Sequence, residues 1–289
     1  MWQGRSTAGM QTLMEAPFET ALVGAGRFGQ VHAAKLACAA QSRLVAVVDH
    51  DRARADALAR RWGASAFKSL GEALERHPSL RACVVATPRA HLAEVAGEAL
   101  LRSLDVLVEK PGAATSAEFD RLSALASTRG RALRVGYVER FLSDEPQPAA
   151  SLLSLRAFAA GQTPEELLLD RLCHDLDRAV RVLGPRVSVA SVRVRRGVLR
   201  IELAGDEGRR GRIVAWPAPS EARRWWTPSG RSSRSRSREP DPLAAQWRAF
   251  ESVVLGTAPT QGEPANVEGG RSVWRLLDAA RAYLAGRAG

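Results

Sequence analysis

Residues 20–49 read T-A-L-V-G-A-G-R-F-G-Q-V-H-A-A-K-L-A-C-A-A-Q-S-R-L-V-A-V-V-D, and this stretch decides the fold. The apolar run at 21–23 is typical of a central parallel strand that is buried on both faces. Glycines follow it directly in G-x-G-x-x-G spacing, and a helical pattern leads to a second apolar run at 44–48. The stretch therefore predicts a strand, a tight turn, a helix and a second strand.

The glycines of this turn, Gly24, Gly26 and Gly29, suit a loop that binds phosphate. The first permits the tight turn, the second lets the backbone approach a pyrophosphate, and the third lets the helix pack close to the strand. The helix begins at Arg27 and Phe28, where its amide groups and positive dipole end would face the phosphates. The sequence therefore predicts a dinucleotide site that includes these five residues.

Asp49 ends the second strand, twenty residues after Gly29. An acid at this position accepts hydrogen bonds from both ribose hydroxyls of an adenosine and repels a 2′-phosphate. The pattern therefore predicts NAD as the cofactor. Arg27 and Arg52 lie close enough in the sequence to offset this repulsion, so NADP stays an alternative.

Strand and helix patterns continue to alternate between residues 17 and 140, after a predicted disordered tail at 1–16. The short connections predict an α/β fold with a doubly wound parallel sheet, which is a Rossmann domain. Cofactors bind beyond the carboxyl ends of the strands in such sheets. His91 is also placed to cap the helix that follows it. The residues at or near the strand ends are Thr87, Pro88, His91, Glu109, Lys110 and Tyr137.

The second half, 141–289, has a different pattern. The tetrapeptide T-P-E-E at 163–166 is a strong helix start, since threonine suits the N-cap, proline the first turn and glutamate the third position. Apolar segments between 187 and 216, separated by glycine turns, predict antiparallel hairpins. We therefore expect a shortened α+β domain with a mostly antiparallel open sheet. A low-complexity stretch predicts a mobile Arg/Ser-rich loop at about 217–241.

Polar residues at i, i+4 and i+7 of the helix that starts at Thr163 share one face. They are Asp170, His174 and Asp177. One interpretation is an ordinary helix surface, on which Asp170 and His174 form an ion pair worth about 0.3 kcal/mol. The other is a catalytic cluster that faces the cofactor. The helix taken alone favours the first interpretation.

Composition limits the classes of function. The formal net charge is +11, but residues 192–240 hold thirteen arginines against five acids, so the rest of the chain is nearly neutral. We read this as an Arg-biased chain and expect no nucleic-acid partner. Apolar runs stay short of the ~20 residues that cross a membrane. The scattered cysteines suit neither a disulfide framework nor a zinc site, so a cytoplasmic protein without a metal is expected.

Four motifs in order resemble the glucose–fructose oxidoreductase/inositol dehydrogenase (Gfo/Idh/MocA) family: V-G-A-G-R-F-G-Q-V-H, V-V-A-T-P-R-A-H, V-L-V-E-K-P and D-R-L-C-H-D-L-D. The likeness covers 19–141 closely and then 163–184. It implies a nicotinamide-dependent oxidation or reduction of a carbinol or ketone in a sugar-like small molecule. It places the lysine of E-K-P on Lys110 and the D-x-x-x-H pair on Asp170 and His174. The resemblance also implies a homodimer formed through the sheet of the second domain. The second half of this chain is short, so the sequence does not decide whether such a homo-oligomer forms.

The implied chemistry agrees with what these residue types can do. Removing a hydride from a carbinol requires a group that takes the hydroxyl proton as the carbonyl forms. A lysine beside a positively charged nicotinamide has its ammonium form destabilised by the like charge. Lys110 is thus the expected base, with His174 to relay the proton and Asp170 to orient either partner. A non-catalytic sensor that keeps the dinucleotide site is the alternative, although such a protein should have lost the lysine or histidine.

Arginines and tryptophans of the second half suggest an anionic substrate, such as a nucleotide-linked sugar. Arginine binds phosphate through two parallel hydrogen bonds, and tryptophan offers a flat face to a base or sugar. The competing interpretation is a solvated loop that only keeps the chain soluble, because its R-S run has no apolar residue to fix it. The residues concerned are Arg209, Arg210, Arg212, Arg223, Arg224, Trp225, Trp226 and Arg231–Arg238.

Overall fold

Two β-sheets organise the chain in a computed structural model, which describes residues 16–142, 148–228, 241–258 and 264–286. Of the predicted tail, all but Ala16 lies outside these described residues. Within them, no helix is long and apolar enough to cross a membrane.

Strands and helices alternate through the first sheet, as the sequence predicts. In chain order they are β1 (Phe18–Val23), α1 (Arg27–Leu36), β2 (Ser42–Val48), α2 (Arg52–Trp62), β3 (Ser65–Phe67), α3 (Leu70–Arg76), β4 (Leu80–Val85), α4 (Leu92–Leu101), β5 (Asp105–Glu109), α5 (Ser116–Arg129) and β6 (Leu133–Gly136). The strands are parallel and lie in the order β3-β2-β1-β4-β5-β6. The doubly wound Rossmann sheet is therefore confirmed.

The central strands are buried on both faces because helices cover each of them. Leu22 and Val47 point into one apolar cluster, while Ala21 and Val85 point into the other. The strand order reverses between β1 and β4, which are neighbours although β2 and β3 lie between them in the sequence. A crevice at such a switch point is where ligands of doubly wound sheets bind.

The second sheet has five strands and packs on a long helical stretch. The elements are β7 (Ser151–Phe158), α6 (Pro164–Leu167), a π-helical turn (Leu168–Leu172), α7 (Cys173–Leu183), β8 (Ser188–Arg195), β9 (Val198–Ala204), β10 (Arg210–Pro217) and β11 (Ala222–Trp226). Their order is β11-β7-β10-β9-β8. Only β7 and β10 pair in parallel, so the mostly antiparallel open sheet is confirmed.

The predicted loop at 217–241 is wrong at its start, where β11 pairs antiparallel with β7. The strand forms because Trp225 is buried, at 5% exposure, and Arg223 reaches a buried acid, Glu139. The sequence A-R-R-W-W has no alternation of apolar and polar residues, so its composition did not indicate a strand. Residues 229–240 lie outside the described residues, and the predicted loop stays a prediction there.

The helical stretch from 163 to 183 begins where the sequence predicts. Thr163 Oγ1 accepts Glu166 N–H at 3.2 Å and Glu166 Oε2 accepts Thr163 N–H at 2.8 Å, which is a complete capping box. The sequence pattern did not predict the π-helical turn at 168–172. Such turns interrupt the regular helical ladder and are frequent at functional sites.

The last two helices, α8 (Pro242–Leu255) and α9 (Val267–Ala285), connect the two halves. Trp247 of α8 packs in the apolar cluster of the first sheet, and its Nε1 donates to Ser42 Oγ at 3.0 Å. In α9, Trp274 Nε1 donates to Pro111 O at 3.0 Å, while other residues of the helix pack against α7 and β8. The predicted boundary at 141 therefore separates two sheets, but α8 belongs to the core of the first.

Candidate cofactor and active site

The glycine turn after β1 has the tight geometry that its spacing predicts. Gly24 has a left-handed φ of +103°, and a Cβ there would lie 2.6 Å from Ala86 O. A Cβ on Gly29 would lie 1.8 Å from Gly24 O, so only glycine lets α1 approach the strand. A Cβ on Gly26, in contrast, would meet no described atom within 4 Å. This space lies in front of the helix N-terminus, where backbone amides suit a pyrophosphate.

Gly29 has no room for a Cβ and Gly26 has ample room, so substitution of the two glycines should have different effects. Gly29→Ala is expected to abolish NADH binding and to lower the melting temperature, because its Cβ overlaps a backbone oxygen. Each kcal/mol lost should lower that temperature by about 2–4 °C in a chain of this size. Gly26→Ala is the matched control, which should weaken NADH binding and leave the melting temperature unchanged. Calorimetry and thermal unfolding test both, and equal melting temperatures for the two variants would contradict the assignment.

Asp49 at the end of β2 is held as an ionised acceptor. Its Oδ2 accepts Ala25 N–H at 2.8 Å, and its Oδ1 accepts Asp51 N–H at 2.9 Å and Arg54 Nη2 at 3.2 Å. Burial raises the pKa of the Asp49 carboxyl, but these backbone and charged donors outweigh burial and bring the pKa below its usual value. An ionised carboxylate beside the glycine turn suits a ribose hydroxyl.

The cation beside Asp49 differs from the two that the sequence suggested. Arg52 bonds to an aspartate of its own helix, and the guanidinium of Arg27 lies 5.4 Å from the ring centre of the next residue. Arg54 takes the place beside Asp49 instead. A sequence signal existed, because Asp51 at the N-cap of α2 sets Arg54 on the first turn of that helix.

A cleft of about 510 Å³ opens where β4 and β5 end. One wall comes from these strand ends and the start of α1, and the other from α6 and the π-helical turn. The sequence did not single out Arg89, Gln162 or Glu166, which also line it. The predicted residues in its lining are Phe28, Thr87, Pro88, Glu109, Lys110 and Asp170.

Lys110 and Asp170 meet in this cleft. Lys110 Nζ donates to Asp170 Oδ1 at 2.5 Å and to Asp170 O at 2.8 Å. The main-chain oxygen is accessible because Asp170 lies in the π-helical turn, where the helical ladder is loosened. Burial raises the pKa of the Asp170 carboxyl, but the hydrogen bond and charge of Lys110 bring it below its usual value. Asp170 thus pairs with Lys110 and also with Arg171, whose Nε lies 3.0 Å from Oδ2, while an Asp170–His174 ion pair is absent among the described residues.

His174 is buried beside this pair, with 8% of its surface exposed. Its Nδ1 has no hydrogen-bond partner among the described residues, and its ring meets the Tyr137 ring edge-on with centres 5.8 Å apart. Burial lowers the pKa of His174 to about 4, so the imidazole is neutral at pH 7. A neutral imidazole has one donor and one acceptor nitrogen, as a proton relay requires.

Three predicted neighbours are not brought to the cleft wall. Tyr137 is 1% exposed and lies behind His174. His91 is exposed at the start of α4 and makes no side-chain capping bond. Asp177 binds Arg140 through two hydrogen bonds of 2.9 and 2.5 Å. Asp177 is therefore engaged away from the cleft, and the π-helical turn changes the i, i+7 spacing between Asp170 and Asp177 that a regular helix would give.

A buried charge network behind His174 was missed by sequence reasoning. Glu139 accepts hydrogen bonds from Arg156 at 3.0 Å, Arg178 at 2.9 Å and Arg223 at 3.0 Å. Asp175 accepts from Arg156 Nε at 2.6 Å and Arg178 Nη1 at 3.2 Å. Burial raises the pKa of Glu139, but the charges around it hold that pKa well below its usual range. The network joins the segment after β6 to α7, β7 and β11.

The predicted substrate role of the second-half aromatic and arginine residues is not supported where they are described. Trp225 lies in the core, and the guanidinium of Arg178 stacks 3.9 Å from its ring centre. Its flat face is therefore used inside the protein. The Arg231–Arg238 run lies outside the described residues. Arg209 and Arg212 pair with acids of their own half, and Arg223 pairs with Glu139.

Comparison with known proteins agrees with this geometry. Residues 18–137 match a family described as "Oxidoreductase family, NAD-binding Rossmann fold" (GFO_IDH_MocA). The nucleotide-binding region, residues 18–137, belongs to the Gfo/Idh/MocA oxidoreductase family. The resemblance seen in the sequence motifs is thus confirmed, together with an NAD-binding Rossmann domain.

Two proteins that resemble the chain are named as dehydrogenases. Inositol 2-dehydrogenase from Leifsonia xyli is 33% identical over 189 residues, which are 60% of this chain and 55% of the relative. UDP-N-acetylglucosamine 3-dehydrogenase from Acidithiobacillus ferrooxidans is 28% identical over 179 residues, which are 57% and 54% of the two chains. The chain therefore matches just over half the length of these relatives. GenD2 from gentamicin A biosynthesis, solved with NAD, has a TM-score of 0.77 at 20% identity over 95% of this chain and 96% of that one, which shows a shared fold.

Proposed function

We propose that the protein transfers a hydride between a nicotinamide cofactor and a carbinol or ketone of a sugar-like molecule. The observation that carries this proposal is the Lys110–Asp170 pair, which lies in the same cleft as Phe28, at the start of the helix that follows the first two glycines of the turn. A candidate base for the hydroxyl proton, Lys110, thus lies next to the predicted dinucleotide site. That is the minimum a hydride-transfer site needs.

The residues of the chain suit such a cofactor. The space before Gly26 and the N-terminus of α1 would hold the pyrophosphate, and Asp49 would accept the ribose hydroxyls. When bound, a nicotinamide supplies the hydride acceptor or donor. Lys110, in its neutral form, would take the hydroxyl proton, while Asp170 holds its amine in place. Neutral His174 would pass that proton onward from behind the pair.

The relatives and the charges in the cleft support a small polyol or sugar substrate. Inositol and a nucleotide sugar are the substrates in the names of the two relatives above. Arg89 and Gln162 line the cleft and can donate to hydroxyl or phosphate oxygens, whereas Glu166 and Asp170 can accept from hydroxyls. An anionic substrate stays a prediction that depends on the Arg231–Arg238 run.

A substrate panel tests the proposed function. Purified protein is incubated with NAD(H) or NADP(H) and with inositols, free sugars and nucleotide sugars, while absorbance of the reduced cofactor is followed. Turnover of at least one hydroxylated substrate is the expected result. NADH binding without turnover on the whole panel would instead favour the non-catalytic sensor, and failure to bind either cofactor would contradict both.

We expect NADH to bind more tightly than NADPH. Asp49 is ionised and would repel a 2′-phosphate, and Arg54 is already engaged with Asp49. Asp49→Ala removes the repulsion and releases Arg54, so the NADH preference should narrow or reverse. Asp120→Ala on α5 is the control, because Asp120 pairs with Arg271 at 63% exposure, and it should change neither affinity. Calorimetric titration of both reduced cofactors measures the effect, and tighter NADPH binding to the unmodified protein would refute the prediction.

A further inference from the structure

Beside Lys110, the mostly buried side chains of His32 and Glu109 form a pair, and Glu109 also contributes to the lining of the cleft. His32, in the second turn of α1, is 3% exposed, and its Nε2 lies 2.8 Å from Glu109 Oε1. The two residues are 77 positions apart in the sequence. Glu109 ends β5 and directly precedes Lys110. The pair therefore connects the helix of the glycine turn with the strand that carries the lysine.

The carboxylate of Glu109 is charged and confined. Burial raises the pKa of Glu109, but the hydrogen bond and charge of His32 and the charge of Lys110 bring it below its usual value. Gly136 of the neighbouring strand lies opposite Glu109, and a Cβ there would come 3.2 Å from Glu109 Oε1. On the same side, Gln246 Nε2 would lie 3.3 Å from that Cβ. The carboxylate thus has little freedom to turn.

Stability alone gives no reason for a polar pair at this place. Ala33 and Leu36 already anchor α1 in the core of the first sheet. Burying a hydrogen-bonded pair that includes a carboxylate costs desolvation energy, and an apolar pair of similar size is often equally stable or more stable. The pair lies between the helix that would bind the cofactor phosphates and the lysine proposed as the base. Its position therefore suggests that it fixes the distance between the two.

We propose that His32 and Glu109 are a positioning pair for Lys110, which ties the base to the helix that would hold the cofactor phosphates. This inference rests on the proposed function. The charged and titratable groups that face Lys110 are Glu109, Asp170, Cys173 and His174. Glu109 acts through Lys110 and is not itself required to touch a substrate.

The chain offers a test that needs no substrate. Its only lysines are Lys35, Lys68 and Lys110, so competitive labelling with an amine reagent and mass spectrometry can follow each one against pH. Glu109→Gln removes a negative charge beside Lys110, so the pH midpoint of Lys110 labelling should fall by about one unit. Lys35 and Lys68 are internal standards and should keep their midpoints.

Variants of the histidine separate positioning from folding. His32→Leu removes the donor, so burial should neutralise Glu109 and lower the Lys110 midpoint in the same direction. His32→Gln keeps a donor at a similar reach and should restore it. The matched control is His77→Leu, because His77 Nδ1 lies 3.8 Å from Glu19 Oε2 in a histidine–glutamate pair away from the cleft. It should leave all three lysines unchanged.

The outcomes are distinct from those of the substrate panel. Unchanged Lys110 midpoints in folded Glu109→Gln and His32→Leu overturn the positioning pair, whether or not the protein turns over a substrate. If His32→Leu does not fold, Gly136→Ala replaces it, since its Cβ pushes the carboxylate by a few tenths of an ångström. That variant should also move the Lys110 midpoint, and no movement would overturn the inference. Shifted midpoints without any turnover would leave the pair supported and the proposed function refuted.

Discussion

Lys110→Met is expected to abolish detectable turnover and to leave the affinity for NADH within a few-fold of the unmodified protein. Methionine keeps the length and the apolar stem of the side chain. It removes the amine that donates to the main-chain oxygen and to Oδ1 of Asp170. Loss of a general base costs about 10²–10⁴-fold in rate. Because the amine serves proton transfer more than binding, kcat should fall while KM and Kd change little.

Lys68→Met is the matched control for this variant. Lys68 is exposed before α3 and far in the chain from the residues that line the cleft, so its loss should change neither kcat nor Kd. Steady-state rates on the substrate found in the panel, with calorimetric titration of NADH, measure both variants. A Lys110→Met protein with near-normal kcat would remove the lysine from the proposed mechanism.

Glu139→Ala is expected to lower the free energy of unfolding by about 3–5 kcal/mol, which is the usual cost of breaking a buried ion network from one side. Glu139 accepts from Arg156, Arg178 and Arg223, so its loss leaves Arg156 and Arg178 with Asp175 as a shared acid and removes an acid partner of Arg223. Denaturant unfolding at pH 7 measures the difference. Glu207→Ala is the control, because Glu207 pairs with Arg209 at 79% exposure and should cost little.

The same variant should show a pH dependence of known sign. The pKa of Glu139 is lowered in the folded protein, so its stabilisation is present above the unfolded value of about 4.3. It is lost only as the pH falls through the lower folded pKa. The stability difference between the unmodified protein and Glu139→Ala should thus be constant from pH 7 to about pH 5 and shrink below pH 4. A difference that grows on acidification would contradict this account.

Local patterns made the first sheet and its glycine turn predictable. Gly24 and Gly29 are required by atoms within a few residues or next to the adjacent strand, and the central strands contain apolar runs. The E-K-P and D-x-x-x-H motifs also placed Lys110 and Asp170 in one cleft, which the structure bears out as geometry. Their catalytic roles stay a prediction that the variants above test.

Pairings between distant residues escaped the sequence. Arg223 and Glu139 are 84 residues apart, and neither has a local pattern that names the other. The strand β11 depends on that contact, which explains why a loop was predicted in its place. The π-helical turn escaped for a related reason, because the helical periodicity of 163–184 does not reveal one added residue. Asp170 lies in that turn and contacts Lys110, whereas His174 follows it in α7 and is buried beside the pair.

The position of α8 has a consequence for how the chain is made. Trp247 and Phe250 complete the apolar cluster that contains Leu22 and Val47, yet they are synthesised more than a hundred residues after β6. Until the ribosome has released residue 255, α1 and α2 pack on that face of the nucleotide-binding sheet without α8, so the part that α8 covers is exposed. A fragment that stops at residue 140 lacks α8 and would leave this part of the sheet exposed permanently. The first sheet is therefore synthesised early, but its apolar core is completed only by the second-last helix.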